Sequence, residues 1–133
     1  MEEIHQNTPE WHNLRLGKVT ASRVSDLIAK TKTGWGASRA NYAAQLVAER
    51  LSGVAGESFS NAAMKWGTEM EPEARAAYAF YADCSVEEVG FIQHPTIPMS
   101  GASPDGHVGT DGSVEIKCPN TATHIETLLG GSI

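Results

Sequence analysis

Apolar residues recur every three or four positions through the first two thirds of the chain, which is the spacing of one face of an α-helix. Glycines follow two of these segments directly, and glycine is common where a helix ends. The pattern predicts helices over residues 9–16, from about residue 20 to residue 28, from residue 38 or 41 to about residue 51, and over residues 60–83, the last punctuated by Gly67 and Pro72.

Two of the predicted helices carry an apolar face that we expect to be buried. In each, the apolar residues are spaced so that they lie on one side of the helix. These faces are Tyr42, Ala43, Leu46, Val47 and Leu51 on one helix, and Ala74, Ala77, Tyr78 and Tyr81 on the next.

The last part of the chain changes to short runs typical of β-strands, bounded by glycines and polar residues. Residues 85–94 are predicted to form a first strand, and residues 97–102 lead into a β-hairpin. A further helix is predicted to begin near Thr121. Helices followed by a meander of strands indicate a single domain of the α/β (α+β) class.

A glycine-rich turn signal at residues 109–113 predicts the tip of the hairpin. A two-residue turn would point Asp105 away from Glu115 and Lys117. A three-residue loop at residues 110–112 puts the three side chains on one face, with Asp105 opposite Lys117. We expect the three-residue loop, because only it gathers the charged groups.

The three-residue loop makes further predictions. It places Gly112 at the position that favours a left-handed residue, and it places His107 opposite Glu115. The side chains predicted to alternate inward, on the opposite face, are those of Val114, Ile116 and Cys118.

Two neighbouring carboxylates, Asp105 and Glu115, repel each other and need a cation. Hard oxygen ligands favour Mg²⁺, Mn²⁺ or Ca²⁺ over zinc. A lysine beside such a metal, here Lys117, can hold or activate a water and stabilise charge that develops on a phosphate. The alternative is a surface hairpin with ordinary ion pairs, since such triplets of residues are common.

Glu71 lies in an acidic part of the predicted long helix. Thr68 and Glu71 match a capping box, in which the glutamate folds back onto the N–H of the threonine. The functional alternative is a third carboxylate directed at the metal site. Glu69, Glu71 and Glu73 crowd one turn, and a bound cation would relieve their repulsion.

Ser22 falls in the first turn of the predicted second helix, where free backbone N–H groups favour an anion. Arg15, just upstream, offers a bidentate contact to a phosphate. Plain helix capping by Thr20 and Ser22 is the alternative.

Residues 30–37 are predicted to form a polar, glycine-rich loop that contains Lys30, Lys32 and Trp35. Basic and aromatic residues interleaved on a loop suit contacts with a nucleic-acid backbone and its bases. A solvated loop with Trp35 packed back on the core is the alternative.

Composition narrows the class of protein. The chain has 133 residues, of which 41% are hydrophobic and 20% charged, as in ordinary soluble globular domains. No apolar run could span a bilayer, and the acidic start is unlike a signal peptide. The net charge of −6 is unfavourable for coating nucleic acid but leaves room for a local basic groove. Cys84 and Cys118 lack zinc or disulfide spacing, which favours reduced thiols in a cytoplasmic protein.

Four short motifs stand in order along nearly the whole chain. They are Leu14-Arg15-Leu16-Gly17 with Thr20-Ala21-Ser22, Trp66-Gly67 with Glu71 and Ala74-Arg75, Ser103-Pro104-Asp105-Gly106, and Glu115-Ile116-Lys117-Cys118-Pro119. In this order and at this spacing they resemble the motifs of the phage lambda exonuclease, or YqaJ-type viral recombinase, family. That family belongs to the PD-(D/E)xK nucleases.

The resemblance implies a restriction-endonuclease-like core and Mg²⁺-dependent hydrolysis of DNA, with Mn²⁺ as a substitute ion. Members of that family digest one strand of a duplex from its 5′ end and so feed single-strand annealing recombination. The resemblance therefore implies double-stranded DNA ends as substrate and a single-strand annealing protein as partner. It also implies a ring-shaped homotrimer and, for a phage or prophage protein, the cytoplasm of the bacterial host.

The resemblance also implies roles for residues of the acidic motifs. Asp105, Glu115, Glu71 and the main-chain carbonyl of Ile116 match metal ligands of the family. Lys117 matches the residue that positions or activates the attacking water.

Other matched positions imply contacts with DNA. Arg15, Ser22 and Ser103 correspond to positions that grip the 5′-terminal phosphate. Lys30 and Lys32 lie where the family places a loop that enters the duplex.

Family members continue well beyond the segment that matches residues 129–131, so we expect this chain to lack the C-terminal part of the family fold. The chain would then be a fragment, the product of a truncated gene, or completed by another chain. The expected activity is 5′-to-3′ exonuclease on double-stranded DNA ends. The alternatives are an endonuclease of the same superfamily and an inactive remnant that binds DNA ends.

Overall fold

A computed structural model of the chain describes residues 3–56 and 60–131. Two compact units are present, and each joins two stretches that are distant in sequence. Unit 1 combines Met1–Glu57 with Glu88–Pro104, and unit 2 combines Ser58–Glu87 with Asp105–Ile133.

Unit 1 contains, in chain order, α1 (Pro9–Arg15), β1 (Val19–Thr20), a 3₁₀ helix (Ala21–Arg23), α2 (Val24–Ile28), β2 (Lys30–Thr31), β3 (Gly34–Trp35), α3 (Ala37–Ser52), β4 (Ile92–Gln93) and β5 (Ser100–Ala102). β1 is parallel to β5, and β4 pairs antiparallel with β5. N-terminal helices followed by strands of a mixed sheet agree with the predicted α/β (α+β) class.

The first predicted helix is confirmed as α1. Its N-cap is Thr8, whose hydroxyl accepts a hydrogen bond from Trp11 N at 3.3 Å. The helix gives way at Leu16, and Gly17 follows with a φ of +64°. The second predicted helix also forms, but its first turn is 3₁₀ and it becomes α-helical only at Val24.

The buried face of α3 is narrower than predicted. Tyr42 and Leu46 are buried as expected, but Val47 is 54% exposed and Leu51 is 84% exposed. The buried face continues through Glu49 instead, because positions 42, 46 and 49 lie on one side of the helix. Ala43 is exposed as well, so the predicted burial of Ala43, Val47 and Leu51 is wrong.

Residues 30–37 form a hairpin rather than the predicted loop. Lys30 pairs with Trp35 and Thr31 with Gly34. Gly34 has a φ of +143°, which only glycine adopts easily, and this allows the tight turn. The alternative in which Trp35 packs on the core is also wrong, because the side chain is more than half exposed.

Unit 2 contains α4 (Ala62–Tyr81), β6 (Gly106–Val108), β7 (Gly112–Val114) and α5 (Thr121–Gly130). The N-cap of α4 is Asn61, whose side chain accepts a hydrogen bond from Met64 N at 2.9 Å. α4 runs unbroken through Gly67 and Pro72. α5 begins at the predicted Thr121.

The capping box predicted at Thr68 and Glu71 is wrong. Thr68 lies inside α4, and its hydroxyl donates to Met64 O at 3.1 Å, one turn back. The helix start is at Asn61, so no free N–H group near Thr68 needs the glutamate. Glu71 pairs instead with Arg75, one turn later.

The covered side of α4 also differs from the prediction. Ala77 is exposed, Tyr78 is about half exposed and Tyr81 is almost fully exposed, so these three residues do not pack inward. Half-buried residues of α4 are Gly67, Met70, Glu71, Ala74, Arg75 and Ala79. The covered side of the helix therefore carries an ion pair.

The predicted strand over residues 85–94 is only partly formed. It contributes β4, and Glu87 forms an isolated bridge with His107 of β6. Among residues 3–56 and 60–131, no helix is long and apolar enough to cross a membrane.

The hairpin of β6 and β7 forms with a different register from the predicted one. His107 lies opposite Ser113, and Val108 lies opposite Gly112. The loop is therefore residues 109–111, and Gly109, not Gly112, has a positive φ of +64°. The left-handed residue is therefore Gly109, at the start of the loop, instead of the predicted Gly112.

The predicted pairs of Asp105 with Lys117 and of His107 with Glu115 are therefore wrong by two residues. Because side chains on a strand alternate with a period of two, every side chain keeps its predicted face. The alternation along the second strand is confirmed, since Ser113, Glu115 and Lys117 are exposed. The half-buried residues between and beyond them are Val114, Ile116 and Cys118.

Candidate functional site

Asp105 stands immediately before β6 and is held from two sides. Its Oδ2 accepts a hydrogen bond from Ile116 N at 2.6 Å, which ties it to the chain that follows β7. Its main-chain carbonyl accepts a hydrogen bond from Arg75 Nε at 3.0 Å, which ties it to α4. Continued by one residue, the hairpin register places Asp105 opposite Glu115.

Glu71 reaches the same place from α4. Its carboxylate pairs with Arg75, the residue that also binds the carbonyl of Asp105. Only 27% of the Glu71 side chain and 12% of the Arg75 side chain are exposed. One arginine therefore connects two acidic residues that are distant in sequence.

Glu115 and Lys117 complete the group on the exposed face of the hairpin. The ammonium of Lys117 pairs with the carboxylate of Glu115, and both side chains are more than half exposed. An exposed ion pair contributes little to stability, so little is lost when either partner binds another group. We call Glu71, Asp105, Glu115 and Lys117 the acidic cluster.

The acidic cluster acts electrostatically on its lysine. The hydrogen bond to Glu115 is the largest cause that raises the pKa of Lys117, while partial burial acts in the opposite direction. The charges of Glu115, Asp105 and Glu71 raise the pKa further. Lys117 is therefore an ammonium ion at neutral pH, under the influence of three carboxylates.

The oxygen donors of the acidic cluster are of the type that a hard divalent cation prefers, which is carboxylate and carbonyl oxygen. In the present arrangement Glu71 and Glu115 already pair with side-chain cations. Among the described residues, no three acidic, His or Cys side chains converge as metal ligands. A bound metal would therefore take the place of Arg75 or Lys117 as a partner of these carboxylates.

Arg15 provides a different kind of site in unit 1. Its guanidinium lies over the ring of Trp11, with Cζ 3.9 Å from the ring centroid. Its Nε is buried and has no hydrogen-bond partner within the described part of the chain. Burial lowers the pKa of Arg15, against the influence of Tyr42 and Glu49, which raise it. An anion would satisfy this half-buried cation.

Trp11 connects Arg15 to one of the two candidate serines. The indole Nε1 donates a hydrogen bond to Ser103 Oγ at 3.0 Å. The same ring therefore supports the guanidinium on its face and fixes a hydroxyl at its edge.

The sheet brings the second serine to the same end as the first. β1 and β5 are parallel, and Thr20 lies opposite Gly101. Ser22 and Ser103 each follow a member of this pair by two residues, so both leave the sheet at the same end. Ser22 Oγ also lies 3.3 Å from Thr20 Oγ1. We call Arg15, Ser22 and Ser103 the anion site.

The two candidate lysines lie on the β2–β3 hairpin. Lys30 Nζ is 4.9 Å from the centroid of the Trp35 ring, and the guanidinium carbon of Arg39 is 4.0 Å from the same centroid. Lys32 lies in the turn between the strands. The hairpin therefore presents cations around an exposed aromatic ring.

Two further residues of unit 1, Trp11 and Glu49, have contacts that no motif in the sequence predicts. Trp11 connects the anion site, and its signal was its type: a buried indole N–H nearly always needs an acceptor. Glu49 is buried beneath the turn that follows α1. Its signal was an acidic residue three positions after Leu46, on an otherwise apolar helix face.

Comparisons with known proteins agree on one family. The family model of the YqaJ-like viral recombinase domain matches residues 10–133. The crystal structure of LHK-Exo in complex with dAMP is 56% identical in sequence and superimposes with a TM-score of 0.83. The crystal structure of an alkaline exonuclease, LHK-Exo from Laribacter hongkongensis, is 55% identical, also with a TM-score of 0.83.

Each match covers 95% of this chain but only 61% of the solved chain. The chain thus spans about three fifths of the length of these relatives. No curated protein matches it significantly.

Proposed function

The chain belongs to the family of YqaJ-like viral recombinase domains, and from that premise we propose that it is a metal-dependent deoxyribonuclease. Its substrate is the end of double-stranded DNA, from which it removes nucleotides in the 5′-to-3′ direction. The observation that carries the proposal is the acidic cluster, in which Arg75 joins Glu71 to Asp105, and Asp105 lies opposite Glu115, the partner of Lys117. The similarity to an alkaline exonuclease, also solved with a deoxynucleoside monophosphate, supports the same reaction class.

In this proposal Asp105, Glu115, Glu71 and the main-chain carbonyl of Ile116 hold Mg²⁺, or Mn²⁺ in its place. Such a metal supplies a Lewis acid for the phosphate and lowers the pKa of a bound water. Asp105 is suited to bind without large movement, because its carboxylate is already fixed by the N–H of Ile116. To hold the metal, Glu71 and Glu115 would give up their present ion pairs with Arg75 and Lys117.

Lys117 orients the attacking water and stabilises negative charge that develops on the phosphate. Its raised pKa favours the charged form, which suits charge stabilisation. The side chain is more than half exposed, so it can leave Glu115 and turn to a substrate.

The anion site binds the 5′-terminal phosphate in this proposal. Arg15 offers an unpaired, buried N–H donor, and Ser22 and Ser103 offer hydroxyls from the same end of the sheet. Lys30 and Lys32 contact the duplex from the β2–β3 hairpin. The chain acts with a single-strand annealing protein in phage-type recombination, as a homotrimer, in the cytoplasm of a bacterial host.

The test is digestion of linear, 5′-phosphorylated duplex DNA by the 133-residue chain, with Mg²⁺ or with EDTA, beside a closed circular control. Release of nucleotides from the linear DNA alone, and only with Mg²⁺, is the expected result. Cleavage of the closed circle would assign an endonuclease instead. Binding to 5′-phosphorylated ends without turnover in either condition would identify a DNA-binding remnant and overturn the proposed activity.

A further inference from the structure

Glu49 is a buried carboxylate, and both of its oxygens accept hydrogen bonds. Its Oε2 accepts a hydrogen bond from Gly17 N at 2.9 Å. Its Oε1 accepts hydrogen bonds from Gln45 Nε2 and from Gly56 N, both at 3.2 Å. A buried charge is costly unless it is bonded in this way, so its place in the fold calls for a reason beyond packing.

α3 holds both polar backbone groups of Gly17. While Glu49 accepts from the N–H, the next residue, Arg50, donates its Nε to the carbonyl of Gly17 at 2.7 Å. Gly17 also has no room for a side chain, because a Cβ there would lie 2.5 Å from Cγ of Arg50. Two consecutive residues of one helix therefore fix a single glycine.

The fixed glycine belongs to the turn that carries the anion site. Arg15 is the last residue of α1, two positions before Gly17. On the other side of the turn, the Tyr42 hydroxyl of α3 accepts a hydrogen bond from Thr20 N at 3.2 Å, two positions before Ser22. Hydrogen bonds from α3 therefore fix the chain at two points, Gly17 and Thr20, between Arg15 and Ser22.

Glu49 does this without neutralising Arg15. Its oxygens are occupied by two backbone N–H groups and by Gln45. No carboxylate of the described residues lies within 4.0 Å of the Arg15 guanidinium. The guanidinium thus keeps its capacity for an external anion.

We propose that Glu49 is a positioning residue of the anion site, which holds the Gly17 turn so that Arg15 can recognise a terminal phosphate. The inference rests on the proposed role of Arg15 in binding the 5′-phosphate. The contribution of Glu49 is geometric, because its negative charge by itself would weaken the binding of an anion.

The test measures binding without turnover. Fluorescence anisotropy in EDTA gives the affinity of the full chain for the same duplex with a 5′-phosphate and with a 5′-hydroxyl. The ratio of the two affinities is the phosphate preference, which a general loss of DNA binding does not change. We expect Glu49→Gln to reduce the preference about tenfold, because the amide can accept only one of the two backbone hydrogen bonds.

Glu88→Gln is the matched control, since it removes the same charge from an exposed position of unit 1. It should leave the phosphate preference unchanged. An unchanged or increased preference in folded Glu49→Gln would overturn the inference. An increase would show that Glu49 acts only as a repelling charge.

Arg50→Met provides an independent test if Glu49→Gln fails to fold. Arg50 is exposed, and methionine keeps most of its stem but loses the N–H that binds Gly17 O. We expect a reduced preference, and wild-type preference in this variant would contradict the inference.

Different results would overturn phosphate binding by Arg15 and the positioning role of Glu49. A wild-type chain without phosphate preference would remove Arg15 from phosphate binding. A preference that is lost in Arg15→Ala but kept in folded Glu49→Gln and Arg50→Met would leave the anion site in place and overturn only the role of Glu49. If both residues act through one site, adding Glu49→Gln to Arg15→Ala has no further effect on the preference.

Discussion

The two units of the chain differ in net charge and in the partners of their basic side chains. Unit 1 contains seven basic and seven acidic residues, whereas unit 2 contains three basic and nine acidic residues, so unit 2 carries the whole formal net charge of −6. Among the described residues, every cation that lies over an aromatic ring belongs to unit 1. In unit 2, Arg75 and Lys117 pair with carboxylates. In unit 1, Arg23 lies over a ring and also pairs with a carboxylate, that of Asp26.

The difference matches the two kinds of ligand in the proposed function. A cation over an aromatic ring keeps N–H donors for other partners, which suits a unit that binds phosphate groups. Carboxylates that hold an arginine and a lysine can exchange them for a metal ion, which suits a unit that performs hydrolysis. An overall acidic protein can therefore contain a local site for an acidic polymer.

The largest expected effect separates the role of Lys117 from that of the proposed metal ligands around it. Lys117→Ala should lower the rate of DNA cleavage by about a hundredfold or more, because it removes a charge that stabilises the reacting phosphate. Binding of Mg²⁺, followed by thermal stabilisation, should persist. Lys65→Ala, an exposed lysine of α4, is the control. Equal cleavage rates for Lys117→Ala and the wild type would remove Lys117 from the mechanism.

The second prediction distinguishes two arginines of unit 1, Arg15 and Arg39, that each lie over a tryptophan ring. Arg15→Met should reduce the preference for a 5′-phosphorylated end about thirtyfold, as expected for the loss of charge-assisted hydrogen bonds. Arg39→Met also removes a guanidinium that lies over a tryptophan, but it should weaken phosphorylated and hydroxyl ends equally. The measurement is cleavage or binding, by each variant, of duplexes that carry a 5′-phosphate or a 5′-hydroxyl. A similar change of preference in both variants would mean that unit 1 attracts DNA only by its general charge.

Which residues form the acidic cluster could be predicted from the sequence better than the hairpin register that places them. Both Gly109 and Gly112 can adopt a left-handed conformation, so local sequence could not choose between two three-residue loops. The register is set by distant contacts, since Glu87 bridges His107 and Gly106 packs against Val86. The error of two residues kept the charged groups on their face, which is why the predicted group of residues remained together.

Unit 1 was harder to predict because its site depends on partners that are far apart in sequence. Trp11 and Ser103 are separated by 92 positions, and Gly17 and Glu49 by 32. Helical periodicity predicts that a position is buried, but it does not predict which hydrogen-bond donors lie next to that position. In the sequence, Glu49 is a charged residue on an otherwise apolar helix face. The structure explains it, because the N–H groups of Gly17 and Gly56 donate hydrogen bonds to its carboxylate.

The third prediction tests unit 2 as a cation site without measuring activity. Mg²⁺ at ten times its dissociation constant should raise the free energy of unfolding by about 1.4 kcal/mol, since a ligand of the folded state stabilises it by mass action. Asp105→Asn should abolish this gain, although asparagine can still accept the hydrogen bond from Ile116 N. Asp111→Asn removes the same charge from the exposed hairpin loop and should keep the gain. Stabilisation of Asp105→Asn equal to that of the wild type would place the metal elsewhere.

The smallest expected effect concerns the buried carboxylate of Glu49 in unit 1. Burial acts to raise the pKa of Glu49, but the hydrogen bonds from Gly17 N, Gln45 and Gly56 N outweigh it, and the pKa lies below its usual range. The unfolded chain therefore binds a proton more readily than the folded chain, so Glu49 stabilises the fold above the unfolded pKa of about 4.3. This contribution is lost as the pH falls through the lower pKa of the folded state.

Glu49→Gln should therefore be less stable than the wild type at pH 7, and the difference in the free energy of unfolding should shrink as the pH falls below about 4.3. Urea unfolding at several pH values measures it, with Glu88→Gln as the variant of equal charge at an exposed position. A difference that stays constant over this range would mean that Glu49 acts by shape alone. A difference that shrinks would show that the ionised carboxylate holds the Gly17 turn, and with it the position of Arg15 in unit 1.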